Sequence, residues 1–117
     1  MKTKNQELLE KLNRAFADND ADFIIQQVTD NIIWTAVGDF TIEGKQAFSK
    51  KIKEMVTGDP YQLDIQTIIT HGKNAAVNGI MKSTKGKQYA FCDVYKFSGF
   101  KDPKISEMTS YVVEVKE

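Results

Sequence analysis

An acid among aromatic rings is the most chemically suggestive arrangement in the chain. Residues 89–97 read Tyr89-Ala90-Phe91-Cys92-Asp93-Val94-Tyr95-Lys96-Phe97. Side chains alternate across a strand, so Tyr89, Phe91, Asp93, Tyr95 and Phe97 share one face, and Ala90, Cys92, Val94 and Lys96 share the other. A carboxylate buried without a partner is costly; it raises its pKa and stays protonated, or it waits for a ligand that satisfies it. Asp93 is therefore the first candidate for acid–base chemistry, or for a hydrogen-bonding anchor in an apolar pocket.

The other reactive side chains read as ordinary. His71 is the single histidine and stands at a Gly72 turn, where a solvated loop residue is expected. Cys92, the single cysteine, falls on the face opposite Asp93 with no histidine beside it in sequence, so it reads as a small apolar group and excludes an internal disulfide. Asp39 and Glu43 flank a turn and could form a pocket mouth, although charged turn residues are normally solvated, and Asp64 is a similar case. With one histidine, one cysteine and no clustered acids at ligand spacing, no metal site is expected. No glycine-rich phosphate loop is present, and no cofactor is implied.

Those side chains need elements to position them. The chain has 117 residues, enough for one domain with one core. Thr3-x-x-Gln6 forms a capping-box pattern ahead of an apolar stripe of Leu8, Leu9, Leu12, Ala15 and Phe16, which predicts a helix ending near Asp18. Asp20 caps a short second helix, and residues 31–37 turn to the β-branched and aromatic composition of a first strand closed by Gly38. A third helix opens at Gly44, carries Ala47, Phe48, Ile52, Met55 and Val56, and stops at Thr57-Gly58-Asp59-Pro60. Residues 61–70, 75–84, 88–97 and 105–115 read as four long strands with hairpin connections, hence antiparallel neighbours, in which Leu63, Ile65 and Ile69 share a core face. Helices followed by long antiparallel strands predict an α+β fold: a cone-shaped, strongly curved, mostly antiparallel or mixed sheet closed by three N-terminal helices.

Composition narrows the partners. Sixteen basic residues balance sixteen acidic ones with the lysines scattered, so no nucleic acid is expected. The N-terminal residues carry no apolar signal-peptide core and no segment is apolar enough to span a membrane, so a cytoplasmic location without membrane association is expected.

The order helix, helix, strand, glycine turn, helix and four strands resembles the nuclear transport factor 2 superfamily, of cystatin-like architecture, which includes ketosteroid isomerases and SnoaL-like polyketide cyclases. The resemblance covers nearly the whole chain and rests on Asn19-Asp20-Ala21-Asp22, Ile33-Trp34-Thr35-Ala36-Val37-Gly38, Ile42-Glu43-Gly44-Lys45 and Asp93-Val94-Tyr95-Lys96-Phe97-Ser98-Gly99. It implies that Asp93 stands where ketosteroid isomerases keep a protonated aspartic acid, a case in which an apolar site holds the acid neutral. Thr35 stands where those enzymes place their general base, and its hydroxyl cannot take up a proton near neutral pH; Leu12, with Phe16 nearby, stands where they place a tyrosine donor. The cone implies a small, mostly apolar organic ligand. Trp34, Thr35, Phe91, Tyr95, Met108 and Ser110 are the candidate ligand-binding residues, though Trp34 and Thr35 cannot both point inward on a regular strand. Superfamily members often dimerise through the convex side of the sheet, which implies a homodimer through the face bearing Ala90, Cys92 and Val94. Three activities follow as expectations: isomerase or cyclase chemistry at Asp93, ligand binding without chemistry, or an interaction module with a filled core.

Overall fold

The computed structural model describes residues 3–55, 58–99, 101 and 103–116. Three helices, α1 (Lys4–Ala17), α2 (Ala21–Gln26) and α3 (Lys45–Met55), lie on one face of a six-stranded sheet built from β1 (Val28–Ala36), β2 (Phe40–Glu43), β3 (Gln62–His71), β4 (Asn74–Lys82), β5 (Gln88–Phe97) and β6 (Ile105–Val115). The strand order is β2-β1-β6-β5-β4-β3. Only β1 and β6 run parallel; every other pairing is antiparallel, so the sheet is mixed. It is curved and open, with β2 and β3 as its edges.

The local chemistry of the helix starts is as expected. Thr3 and Gln6 satisfy each other's backbone N–H groups at the start of α1, at 3.1 and 2.9 Å, and the Asp20 carboxylate accepts from the Phe23 N–H at 3.3 Å. Leu9, Leu12 and Ala15 of α1 and Phe48 and Ile52 of α3 are buried against Val77, Phe91, Tyr95, Phe97, Ile105 and Met108 of the sheet. Two expectations for α3, Val56 on its apolar stripe and Thr57 in its stop signal, lie outside the described residues. Ala47 is exposed rather than buried.

Two features depart from the sequence reading. Residues 40–43, read only as a turn leading into a helix, form β2, a four-residue edge strand paired with β1 from Ile33–Glu43 to Ala36–Phe40. In β3 the register to β4 shifts between Ile65 and Thr67, leaving Gln66 as one extra residue. That bulge reverses the alternation: Ile68 packs toward the core, and Ile69, expected on the core face with Leu63 and Ile65, is 60% exposed on the other side. Gly79 lies opposite the bulge, and a Cβ there would fall 2.3 Å from the Asp64 carbonyl oxygen. The close approach of backbones at this crease requires glycine, and a bulge paired with glycine is how a sheet bends sharply.

Candidate active site

The pocket begins with two adjacent strands. Asp93 in β5 pairs directly with Ser110 in β6 and with Val77 in β4. One residue pair along, Met108 of β6 stands opposite Trp34 of β1. Alternation therefore turns Phe91, Asp93, Met108, Ser110 and Trp34 to the helix-covered face, where they line a cavity of about 390 Å³ with Asn13 and Phe16 of α1 and Phe40 of β2. The rim carries Asn19, Asp39, Met55 and Tyr61. Asn19, with φ of 61°, donates from its amide to the Gly58 carbonyl at 3.0 Å, and the Tyr61 N–H donates to the Ala17 carbonyl at 2.9 Å, tying the loop after α1 to the loop after α3.

The polar groups form one directed chain. Asn13 Nδ2 donates to the Leu9 carbonyl at 2.8 Å and to the Tyr95 hydroxyl at 3.2 Å. With its oxygen accepting from Asn13, Tyr95 donates its own proton to Asp93 Oδ2 at 3.3 Å. From the other side, Trp34 Nε1 donates to Ser110 Oγ at 2.9 Å, and the Ser110 hydroxyl hydrogen-bonds to Asp93. Two donors converge on one carboxyl group, and each is itself held by a third residue.

Electrostatics favour a poised acid. Desolvation raises the Asp93 pKa from 3.8 to about 6, against the opposing pull of the hydrogen bonds from Ser110 and Tyr95. The Tyr95 hydroxyl is pushed well above its ordinary value, first by burial and then by the Asp93 charge beside it, so Tyr95 remains a proton donor in a hydrogen bond. A carboxyl with a pKa of about 6 exists in both forms near neutral pH, the condition under which one group serves as acid or as base.

Of the seven residues put forward from sequence, five line the cavity: Asp93, Trp34, Phe91, Met108 and Ser110. Tyr95 does not; it is fully buried behind Asp93 and acts on it rather than on the cavity. Thr35 does not either. With Trp34 turned inward, alternation turns Thr35 outward, where its hydroxyl meets that of Thr41 on β2 at 3.5 Å. Asn13 went unrecognised because a polar helix residue is normally solvated, yet it stands four residues after Leu9 and three before Phe16, on the buried stripe of α1. Asp39 is at the rim; Glu43, His71 and Asp64 are exposed away from the cavity, and Cys92 is half-buried on the outer face opposite Tyr111. A wider depression of about 520 Å³ over Gln62, Asp64, Lys82 and Gln88 lies at the sheet edge and has no aromatic ring among its described lining residues. Among the described residues no group of three or more His, Cys, Asp or Glu could hold a metal, and no helix is long and apolar enough to cross a membrane.

The family profile described as SnoaL-like domain matches residues 9–108. No curated protein matches the chain. Among solved structures, a nuclear transport factor 2-like protein of unknown function from Cytophaga hutchinsonii is 21% identical with a TM-score of 0.66, over 92% of this chain and 97% of that one. A putative ketosteroid isomerase from Kribbella flavida is 13% identical with a TM-score of 0.75, over 95% and 78%. The epoxide hydrolase/cyclase-like enzyme SalBIII, of pyran ring formation in the polyether salinomycin, is 20% identical with a TM-score of 0.76, over 94% and 91%.

Proposed function

The chain belongs to the SnoaL-like domain family, and from that premise we propose that it takes a small, mostly apolar organic ligand into the cavity, with Asp93 as polar anchor and as the group for isomerase- or cyclase-type acid–base chemistry. The observation that supports this reading is a carboxyl group with a pKa of about 6 inside a cavity otherwise lined mainly by Trp34, Phe16, Phe40, Phe91 and Met108. Likeness of fold to a protein described as a putative ketosteroid isomerase and to an epoxide hydrolase/cyclase-like enzyme supports the choice of reaction class. Among the described lining residues the other carboxyl group, Asp39, stands at the rim, so Asp93 carries a proton both ways: as carboxylate it takes one from a carbon next to a carbonyl, and as acid it returns it elsewhere on the same ligand.

Deuterium wash-in tests this. A bicyclic ketone such as decalone, incubated with the protein in D₂O and followed by mass spectrometry, should gain deuterium beside its carbonyl. Asp93→Asn should lower that rate by roughly a hundredfold. Trp34, the chain's single tryptophan, reports occupancy by its fluorescence. Saturable binding without exchange would favour the alternative of a non-catalytic binding protein; an absence of saturable binding would refute the cavity as a ligand site.

A homodimer through the outer sheet face is proposed alongside. Its support is a band of apolar side chains that no helix of the described residues covers, in which Ile69, Val94, Tyr111, Val113 and Val115 are all exposed.

A further inference from the structure

The cavity's charge is one-sided. Among the described residues its lining holds two carboxyl groups, Asp93 within and Asp39 at the rim, and no Lys, Arg or His. Six aromatic rings share that lining, and four of them form two near-perpendicular pairs: Trp34 with Phe40, at 5.0 Å and 89°, and Tyr61 with Tyr89, at 6.3 Å and 78°. Ring faces carry negative potential, and cages of aromatic rings are the usual receptors for ammonium groups. One ring already receives a cation, since Lys51 Nζ of α3 stands 4.6 Å from the Phe40 centroid.

We propose that the pocket selects by charge: it accepts a lipophilic amine as its ammonium ion, with the nitrogen on Asp93 and the hydrocarbon body against the rings, and turns carboxylates and phosphates away. This rests on the reading of the cavity as a ligand site. Tyr95 and Ser110 occupy only part of the acceptor capacity of the Asp93 carboxylate, and the rest is available to a donor in the cavity. An ammonium ion compensates the desolvation that burial imposes on that carboxylate. An anion would be desolvated next to it with no counter-charge among the described lining residues.

The pH dependence has a definite sign. The groups around Asp93 are Tyr95 on its own strand, Ser110 from β6, Val77 from β4, Asn13 from α1 through Tyr95, and Asp39, Tyr61 and Tyr89 around the cavity. Tyr95 keeps its proton, so Asp93 is the titrating group within the cavity and Asp39 the carboxyl at the rim. Below about pH 6 an ammonium ion must displace the Asp93 proton; above it the carboxylate is ready. Amine affinity therefore rises with pH through that value, whereas an acceptor ligand that needs the protonated acid weakens.

Three ligands with one hydrocarbon body test the proposal: adamantylmethylamine, adamantylmethanol and adamantanecarboxylate, titrated into the intact protein with Trp34 fluorescence as readout. At about pH 8 the amine should bind roughly tenfold tighter than the alcohol and the carboxylate at least about tenfold weaker, with the amine's advantage shrinking at about pH 5. Asp93→Asn should bring the amine down to the alcohol's affinity; where that variant does not fold, the pH dependence of the intact protein carries the test. An amine no tighter than the alcohol at about pH 8, a carboxylate as tight as the alcohol, or an amine advantage that survives Asp93→Asn would overturn charge selection while leaving an apolar ligand site intact. Absence of binding by all three would overturn both.

Discussion

Asp93 costs the fold something at neutral pH. Its folded pKa, about 6, lies above the ordinary 3.8 because of burial, so the folded chain holds that proton more tightly than the unfolded chain. Such a group contributes stability that is fully present below about pH 4 and is lost as pH rises to about 6, amounting to roughly 3 kcal/mol at 1.36 kcal/mol per pKa unit. Asp93→Asn, which keeps the shape and cannot ionise, should therefore raise the melting temperature by several degrees at about pH 8 and give little gain at about pH 4. Thermal melts across that range check it, and a variant less stable than the parent at the higher pH would contradict the account. The site was half legible at this scale. Alternation and the family resemblance together singled out Asp93, Trp34, Phe91, Met108 and Ser110. Asn13 is hidden because composition treats a helix asparagine as solvated, and the placement of Tyr95 behind Asp93 is not legible because a shared face does not say which side chain stands behind another.

At the scale of elements, long periodic segments were readable and a single inserted residue was not. The capping box of α1, the stripe of α3 and the hairpins of β3 to β6 all carried their signals in residue type. The bulge at Gln66 carried none of its own: its glycine sits on the neighbouring strand, and strand pairing is not visible in a local window. Ile69 consequently faces outward against expectation, and β2 escaped notice because four residues beside a turn are too few to show alternation. Gly79→Ala should destabilise the protein by about 2 kcal/mol or more, because the clash is with the backbone of β3 rather than with a side chain that could swing away. Denaturant unfolding measures it; a loss below about 0.5 kcal/mol would mean that the crease relaxes freely.

On the scale of the molecule the two sheet faces have opposite needs. The inner face is covered by α1, α2 and α3, and among the described residues no helix covers the outer face across β3 to β6. Asn78 Oδ1 is buried there, beside Cys92 and Thr67, without a hydrogen-bond partner among the described residues. If this face is shared between two copies, sedimentation equilibrium should give twice the mass of one chain, and Val113→Lys, at a position 65% exposed, should yield a folded monomer. A parent protein that stays monomeric at high concentration would refute the dimer.

The hydrogen bonds that build the cavity join residues 76 and 82 positions apart, from Trp34 to Ser110 and from Asn13 to Tyr95. No single helix or hairpin holds both ends of either bond, so the pocket has no local existence and forms only when α1, β1, β5 and β6 are assembled together. A ligand of the proposed kind would thereby be linked to the folding equilibrium of the entire chain, and its affinity would be felt as global stability rather than as the ordering of a single loop.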